Sequence, residues 1–154
     1  RSDGWYLRQD IIWSKPNPMP ESVRDRCTKS HEYIFLFSKS QNYHFNVEAI
    51  KEPTVDGKQL KRKRSVWSVK TKPYKNSHFA VFPSELIEPC ILAGSDKGDL
   101  VLDPFMGSGT TAYVANSLDR DYIGCELNKD YSKLINERLK SKVVNHTPLQ
   151  ANLF

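Results

Sequence analysis

Two carboxylates close two short apolar runs in the stretch Asp99 to Leu127, DLVLDPFMGSGTTAYVANSLDRDYIGCEL. Asp103 follows Leu100-Val101-Leu102, and Glu126, twenty-three positions later, follows Tyr122-Ile123-Gly124-Cys125. Between them, Phe105-Met106-Gly107-Ser108-Gly109 reads as a turn whose glycines can take positive φ and let the backbone approach a ligand closely. An acid about 20 residues beyond a glycine turn is the usual partner of ribose hydroxyls, so the ligand carries a ribose. It is not a typical dinucleotide. Only G-S-G stands where that fingerprint reads G-x-G-x-x-G, and Asp103 would repel a pyrophosphate. A carboxylate at the turn better suits a cationic ligand, such as the amino and sulfonium groups of S-adenosylmethionine.

Those side chains need a scaffold. The apolar runs predict strands, and Thr110 to Leu118 predicts a helix whose first N–H groups are left unpaired. Strand, turn, helix and strand form a βαβ unit, with parallel strands and a right-handed crossover. The bland alternative is the same unit with structural glycines and no ligand.

DPFMGSGTT followed by YIGCELN resembles the cofactor-binding motifs of the DNA amino-methyltransferases, which modify adenine N6 or cytosine N4. The resemblance implies an α/β, Rossmann-like S-adenosylmethionine-dependent methyltransferase fold and an enzyme of a restriction-modification system. It implies that Asp103, Pro104, Phe105, Gly107, Ser108, Gly109 and Thr110 line the methionine part of the cofactor. Glu126, with Leu127, would hold the ribose. Phe82 and Pro83 stand in an F-P-x-x-L segment that closes over the methionine end in this family. IIWSKPNPMPES resembles the segment after the target-base region, in members whose catalytic region precedes the cofactor motif. Trp13, Lys15 and Asn17 are accordingly expected to line the active site.

Upstream, Trp5 to Trp13 predicts a strand and Ser14 to Pro20 a stiff, proline-rich loop. Arg24, Arg26 and Lys29 precede a second strand, His31 to Lys39, apolar enough to be largely buried. His31 and Glu32 read as the anchor of its start rather than as an acid/base pair. Residues 41–76 form an inserted basic segment, with five basic residues among Lys58 to Arg64 and with Trp67 and Tyr74 after them. Such a run suits phosphate contact and stacking, and it falls where the family carries its target-recognition region. Arg24, Arg26, Lys61, Arg62, Lys63 and Arg64 are the candidate DNA contacts; the competing reading is a solvated loop.

His78 to Pro83 leads into a helix, Ser84 to Ala93, that Pro89 should kink or restart and Gly94 should end. Asn128 can cap a last helix with Tyr131, Leu134, Ile135 and Leu139 on one face. Its basic residues, Arg138 among them, read as ordinary solvated surface. The tail, 143–154, ends in Q-x-x-L-F, similar to peptides that dock on the bacterial sliding clamp.

Composition sets the bounds. The 154 residues can form one domain with a real core. The net charge of +5 and pI near 9.1 suit a polyanion such as double-stranded DNA. Three cysteines lack metal-ligand spacing, so no metal site is expected and a reduced, cytoplasmic protein is the simplest reading. No apolar run approaches the length of a membrane span, and no signal peptide is visible.

One motif is absent. The family's catalytic centre is a D/S/N-P-P-aromatic tetrapeptide that binds the amine and stacks on a flipped-out base, and this sequence contains no Pro-Pro pair. The catalytic residues and two central strands are therefore expected before Arg1, leaving an incomplete mixed sheet with exposed edges and apolar surface. A missing N-terminal part or a second chain would cover them. The chain alone should be inactive, and the choice of adenine or cytosine stays open. The competing functions are a non-catalytic DNA-binding module of the same fold and, less favoured, a nicotinamide-dependent oxidoreductase domain.

Overall fold

The computed structural model describes residues 3–72 and 81–140. Two compact units make up the chain, Arg1–Thr71 and Lys72–Phe154. Predictions that rest on Tyr74, His78, Lys142 and the Q-x-x-L-F tail lie outside the described residues.

In the first unit, β1 (Tyr6–Ser14) runs antiparallel to β2 (His31–Ser38), from Tyr6 opposite Ser38 to Ser14 opposite His31, with an irregularity between Leu7 and Gln9. A two-residue pair, β3 (Glu52–Pro53) and β4 (Leu60–Lys61), lies within the basic segment. Then β5 (Val66–Ser68) joins β1 on its other side, in parallel, giving the order β2-β1-β5. Trp13 stands opposite Trp67 in that parallel pairing, and with Ile11 they are the buried hydrophobic residues of this unit. Both indoles are satisfied, Trp13 Nε1 donating to Val69 O at 2.8 Å and Trp67 Nε1 to Arg64 O at 2.7 Å. That is the condition for burying tryptophan at low cost.

β2 departs from expectation. Tyr33, Phe35 and Phe37, spaced two apart and so on one face, are 52%, 53% and 49% exposed. Their rings follow one another at 5.9 and 6.2 Å. The strand lies at the sheet edge, and its opposite face holds the less exposed Ile34 and Leu36. An unbroken apolar run thus marks a strand with one open face rather than a buried one.

The second unit contains α1 (Ser84–Gly94), β6 (Leu100–Asp103), α2 (Thr110–Ser117), β7 (Asp121–Gly124) and α3 (Lys129–Lys140). β6 and β7 pair in parallel, Leu100 opposite Asp121 through Asp103 opposite Gly124, so the predicted βαβ unit is present. Ile91, Val114 and Ala115 form its buried centre, with Ile87, Val101, Tyr113, Leu118 and Tyr122 packed around them. Leu100, Leu102 and Ile123 stay exposed on the other face of the strands, the apolar sheet surface the sequence led us to expect.

α1 runs through Pro89 as a single helix instead of restarting there. The carbonyl that loses its partner belongs to exposed Glu85, where water can replace the missing N–H.

A buried arginine ties the helix ends together. Arg120, 8% exposed, donates from Nη2 to Ser95 O at 2.8 Å, from Nη1 to Leu118 O at 2.5 Å and from Nε to Ser95 Oγ at 3.3 Å. Replacing it strands those acceptors away from water. Arg120→Ala should lower the unfolding free energy by about 2 kcal/mol. A urea titration checks this, and a loss below about 0.5 kcal/mol would mean that water replaces the guanidinium.

Candidate functional site

The glycine turn is fixed by four groups at the ends of β6 and β7. Asp103 uses both carboxylate oxygens: Oδ1 accepts from the Phe105 N–H at 2.9 Å and Oδ2 from Thr111 Oγ1 at 2.5 Å. Glu126 does the same, Oε2 accepting from the Gly107 N–H at 2.8 Å and Oε1 from the Asn128 N–H at 2.8 Å. Backbone bonds close the frame, Met106 N–H to Cys125 O at 2.8 Å and Cys125 N–H to Asp103 O at 3.0 Å. Each carboxylate has about four lone-pair positions, so both retain acceptor capacity toward a ligand.

Three glycines serve three needs. Gly107 has φ +53°, and a Cβ there would meet nothing nearer than Phe105 O at 3.9 Å, so that side of the turn is open. Gly109 has φ +79°, and a Cβ would come within 3.1 Å of Ile135 on α3. At Gly124 a Cβ would fall 1.8 Å from Met106 Cε, so this strand glycine makes room for a buried methionine of the turn. Sequence reasoning assigned no part to Met106 or Gly124. A strand glycine eighteen residues after a turn methionine gave no local signal of contact.

Phe82 shares a cleft of about 460 Å³ with Ile87, Leu102, Asp103 and Thr111. Pro83 is buried and caps α1, its carbonyl accepting from the Leu86 N–H at 3.0 Å. Pro104, Phe105 and Leu127 are exposed at the rim of the turn. Ser108 and Thr110 are buried, and both hydroxyls accept from Arg138 Nη1 on α3. Arg138, half-buried with its guanidinium 5.4 Å from the Tyr113 ring centroid, is therefore not the solvated surface residue the sequence suggested. The predicted cap is present, Asn128 Oδ1 accepting from the Asp130 N–H at 3.0 Å.

In the first unit, Trp13 is core. Lys15 pairs with Glu32 at the start of β2, its Nζ 4.5 Å from the Trp13 ring centroid. Asn17 is bound to Thr71 backbone, Oδ1 accepting at 2.9 Å and Nδ2 donating at 3.1 Å, as a strand neighbour would. Its amide braces the proline loop. Among the predicted DNA contacts, Lys61 and Arg64 share Glu52 at 3.6 and 3.2 Å, Lys63 lies over Trp67, and Arg26 pairs with Glu21 and Asp25. Arg24 and Arg62 are exposed and form no ion pair among the described residues.

Comparison with known proteins gives this geometry a lineage. The model of a family described as DNA methylase matches residues 1–137. The chain is 57% identical over 140 residues to the Type II methyltransferase M.SmaI of Serratia marcescens, a match covering 90% of this chain and 48% of that protein. It is similar in structure to the M1.HpyAVI-SAM complex, with TM-score 0.67 and 31% identity over 90% of this chain and 64% of the other. The cytosine-N4-specific PvuII DNA methyltransferase gives TM-score 0.75 over 94% of this chain and 54% of its own, a likeness of fold alone at 21% identity. The chain spans about half the length of M.SmaI and of other curated relatives it matches. With the βαβ unit, its glycine turn and the paired carboxylates, the match along nearly the whole sequence establishes that this chain belongs to the DNA methylase family and has its Rossmann-like methyltransferase fold.

Proposed function

We propose that these residues are the cofactor-binding part of a site-specific DNA methyltransferase that acts, inside the cell, on an exocyclic amine, adenine N6 or cytosine N4. The carrying observation is the glycine turn held between Asp103 and Glu126 at the ends of two parallel strands. Relatives named Type II methyltransferases, and a neighbour solved with SAM, support the same reading.

The site fits S-adenosylmethionine. Glu126 retains lone pairs for ribose hydroxyls, and Asp103 offers negative charge to the ligand's ammonium and sulfonium groups. Gly107 leaves the turn open, and Phe82, Ile87 and Leu102 give the adjoining cleft an apolar lining. When bound, the cofactor supplies an electrophilic methyl group. The residues of this chain orient it: Gly107 and Gly109 admit close approach, Glu126 fixes the ribose end and Asp103 the charged end. Pro104, Phe105, Ser108, Thr110, Leu127 and Pro83 complete the turn and its rim.

In this reading Trp13, Lys15 and Asn17 shape the proline loop beside the target base, and the basic residues of 41–76 grip double-stranded DNA. Arg24 and Arg62, without ion pairs among the described residues, have the most to gain from phosphate. The tetrapeptide that would hold the amine is supplied from outside these 154 residues, by the rest of the polypeptide or by a second chain. Its absence here is consistent both with this reading and with a second one, a non-catalytic DNA-binding module.

Isothermal titration with S-adenosylmethionine tests the main reading. The chain should bind, and Glu126→Ala should weaken binding about tenfold, or ~1.4 kcal/mol. No binding by the unaltered chain would sink it. A methyl-transfer assay on unmethylated DNA should yield no product from this chain alone; product would show that the active site is complete within it. Methylation restored by a complementing partner separates the enzyme from the non-catalytic module.

DNA contact has its own test. Arg62→Ala should weaken DNA binding similarly for all sequences and reduce the slope of log K against log salt by about 1. An unchanged slope would return this segment to solvated loop.

A further inference from the structure

We infer that Arg138 is a positioning residue for the cofactor turn, holding Ser108 to Thr110 as Glu126 holds Gly107 and so setting how much of the protein is competent to bind. The inference rests on the reading of that turn as the S-adenosylmethionine site.

The turn is restrained unevenly. Asp103 holds its entrance through the Phe105 N–H, and Glu126 holds Gly107. Ser108, Gly109 and Thr110 follow, with Gly109 in the left-handed region at φ +79°. Among the described residues, the hydrogen bonds to Ser108 and Thr110 side chains come from α3 rather than from the two carboxylates. Arg138 Nη1 lies 3.3 Å from Ser108 Oγ and 3.0 Å from Thr110 Oγ1. A single guanidinium nitrogen carries two N–H bonds, so it can serve both hydroxyls at once.

Those hydroxyls belong to residues only 4% and 2% exposed, where a polar group without a partner is costly. A charged donor makes the stronger bond. The guanidinium carbon also lies over the Tyr113 ring, 5.4 Å from its centroid, a contact that a lysine ammonium copies less well.

The helix carrying Arg138 is itself tied to the ribose end. Glu126 Oε1 accepts from Asn128, and Asn128 caps the first turn of α3. One helical turn before Arg138, on the same face, Ile135 packs where a Gly109 Cβ would sit. Glu126 at one end of α3 and Arg138 near the other therefore both hold the turn. If α3 lets go, the turn samples other conformations and apparent affinity falls in proportion to the competent fraction.

Two readouts on the chain test this, hydrogen exchange of the 107–110 amides without ligand and titration with S-adenosylmethionine. Arg138→Ala should speed exchange and weaken binding, each about tenfold. Arg138→Lys should recover part of both. In a Ser108→Ala/Thr110→Val background, Arg138→Ala should add less than about twofold, because its acceptors are already gone. Unchanged exchange overturns the inference, as does a lowered melting temperature with unchanged affinity. An undiminished effect in the double background overturns it too. If Arg138→Ala does not fold, Arg138→Lys carries both readouts, and no change in either overturns it. If the unaltered chain binds no S-adenosylmethionine while exchange still responds, the cofactor reading fails and the role of Arg138 in holding the turn stands.

Discussion

The second unit depends on one bond geometry, a carboxylate after β7 accepting the N–H of a glycine in the turn after β6. Glu126 reaches across to Gly107, while Met106 N–H and Cys125 O join the same two chain segments by backbone. A parallel pair of only four residues each would otherwise end in two unconnected loops. Joined this way, the strand ends, the turn and the start of α2 become one framework. Met106 seals it from within, and Gly124 leaves Met106 the space it needs. The exposed rim and the buried lining of the turn thus follow from the same contacts.

What was legible in the sequence was what is local. The βαβ order, both glycine conformations, the Asn128 cap and the apolar stripe of α3 each follow from residues within a few positions of one another. The long-range contacts were not. Arg120 reads as one more charge until Ser95, twenty-five residues earlier in the chain, is seen to need it. Arg138 reads as surface until α3 folds back over Ser108 and Thr110. Asn17 reads as a residue presented to substrate, and its amide is engaged by Thr71, fifty-four positions away. Polar side chains have no periodicity to betray their partners, whereas apolar ones do.

The error over β2 has a different origin. Its run of aromatic and aliphatic residues says that the strand is apolar, which it is. It does not say whether one face or two will be covered, because that depends on what the sheet packs against. Tyr33, Phe35 and Phe37 form an open aromatic face in the first unit, and Leu100, Leu102 and Ile123 an open aliphatic one in the second.

The turn also explains why this sequence departs from the dinucleotide pattern. A helix N-terminus preceded by glycines attracts anions, through unpaired N–H groups and the helix dipole. Here two anions of the protein's own already stand there. Asp103 accepts from the Phe105 N–H and from the first-turn side chain of Thr111, and Glu126 takes the Gly107 N–H. A phosphate would meet two carboxylates and find the Phe105 and Gly107 N–H groups already taken. A ligand with positive charge beside a ribose meets the reverse, acceptors with lone pairs to spare and charge of the right sign. In the proposed reading, the same two residues that build the turn disfavour a pyrophosphate and favour a sulfonium, which counts against a nicotinamide cofactor and supports methyl transfer.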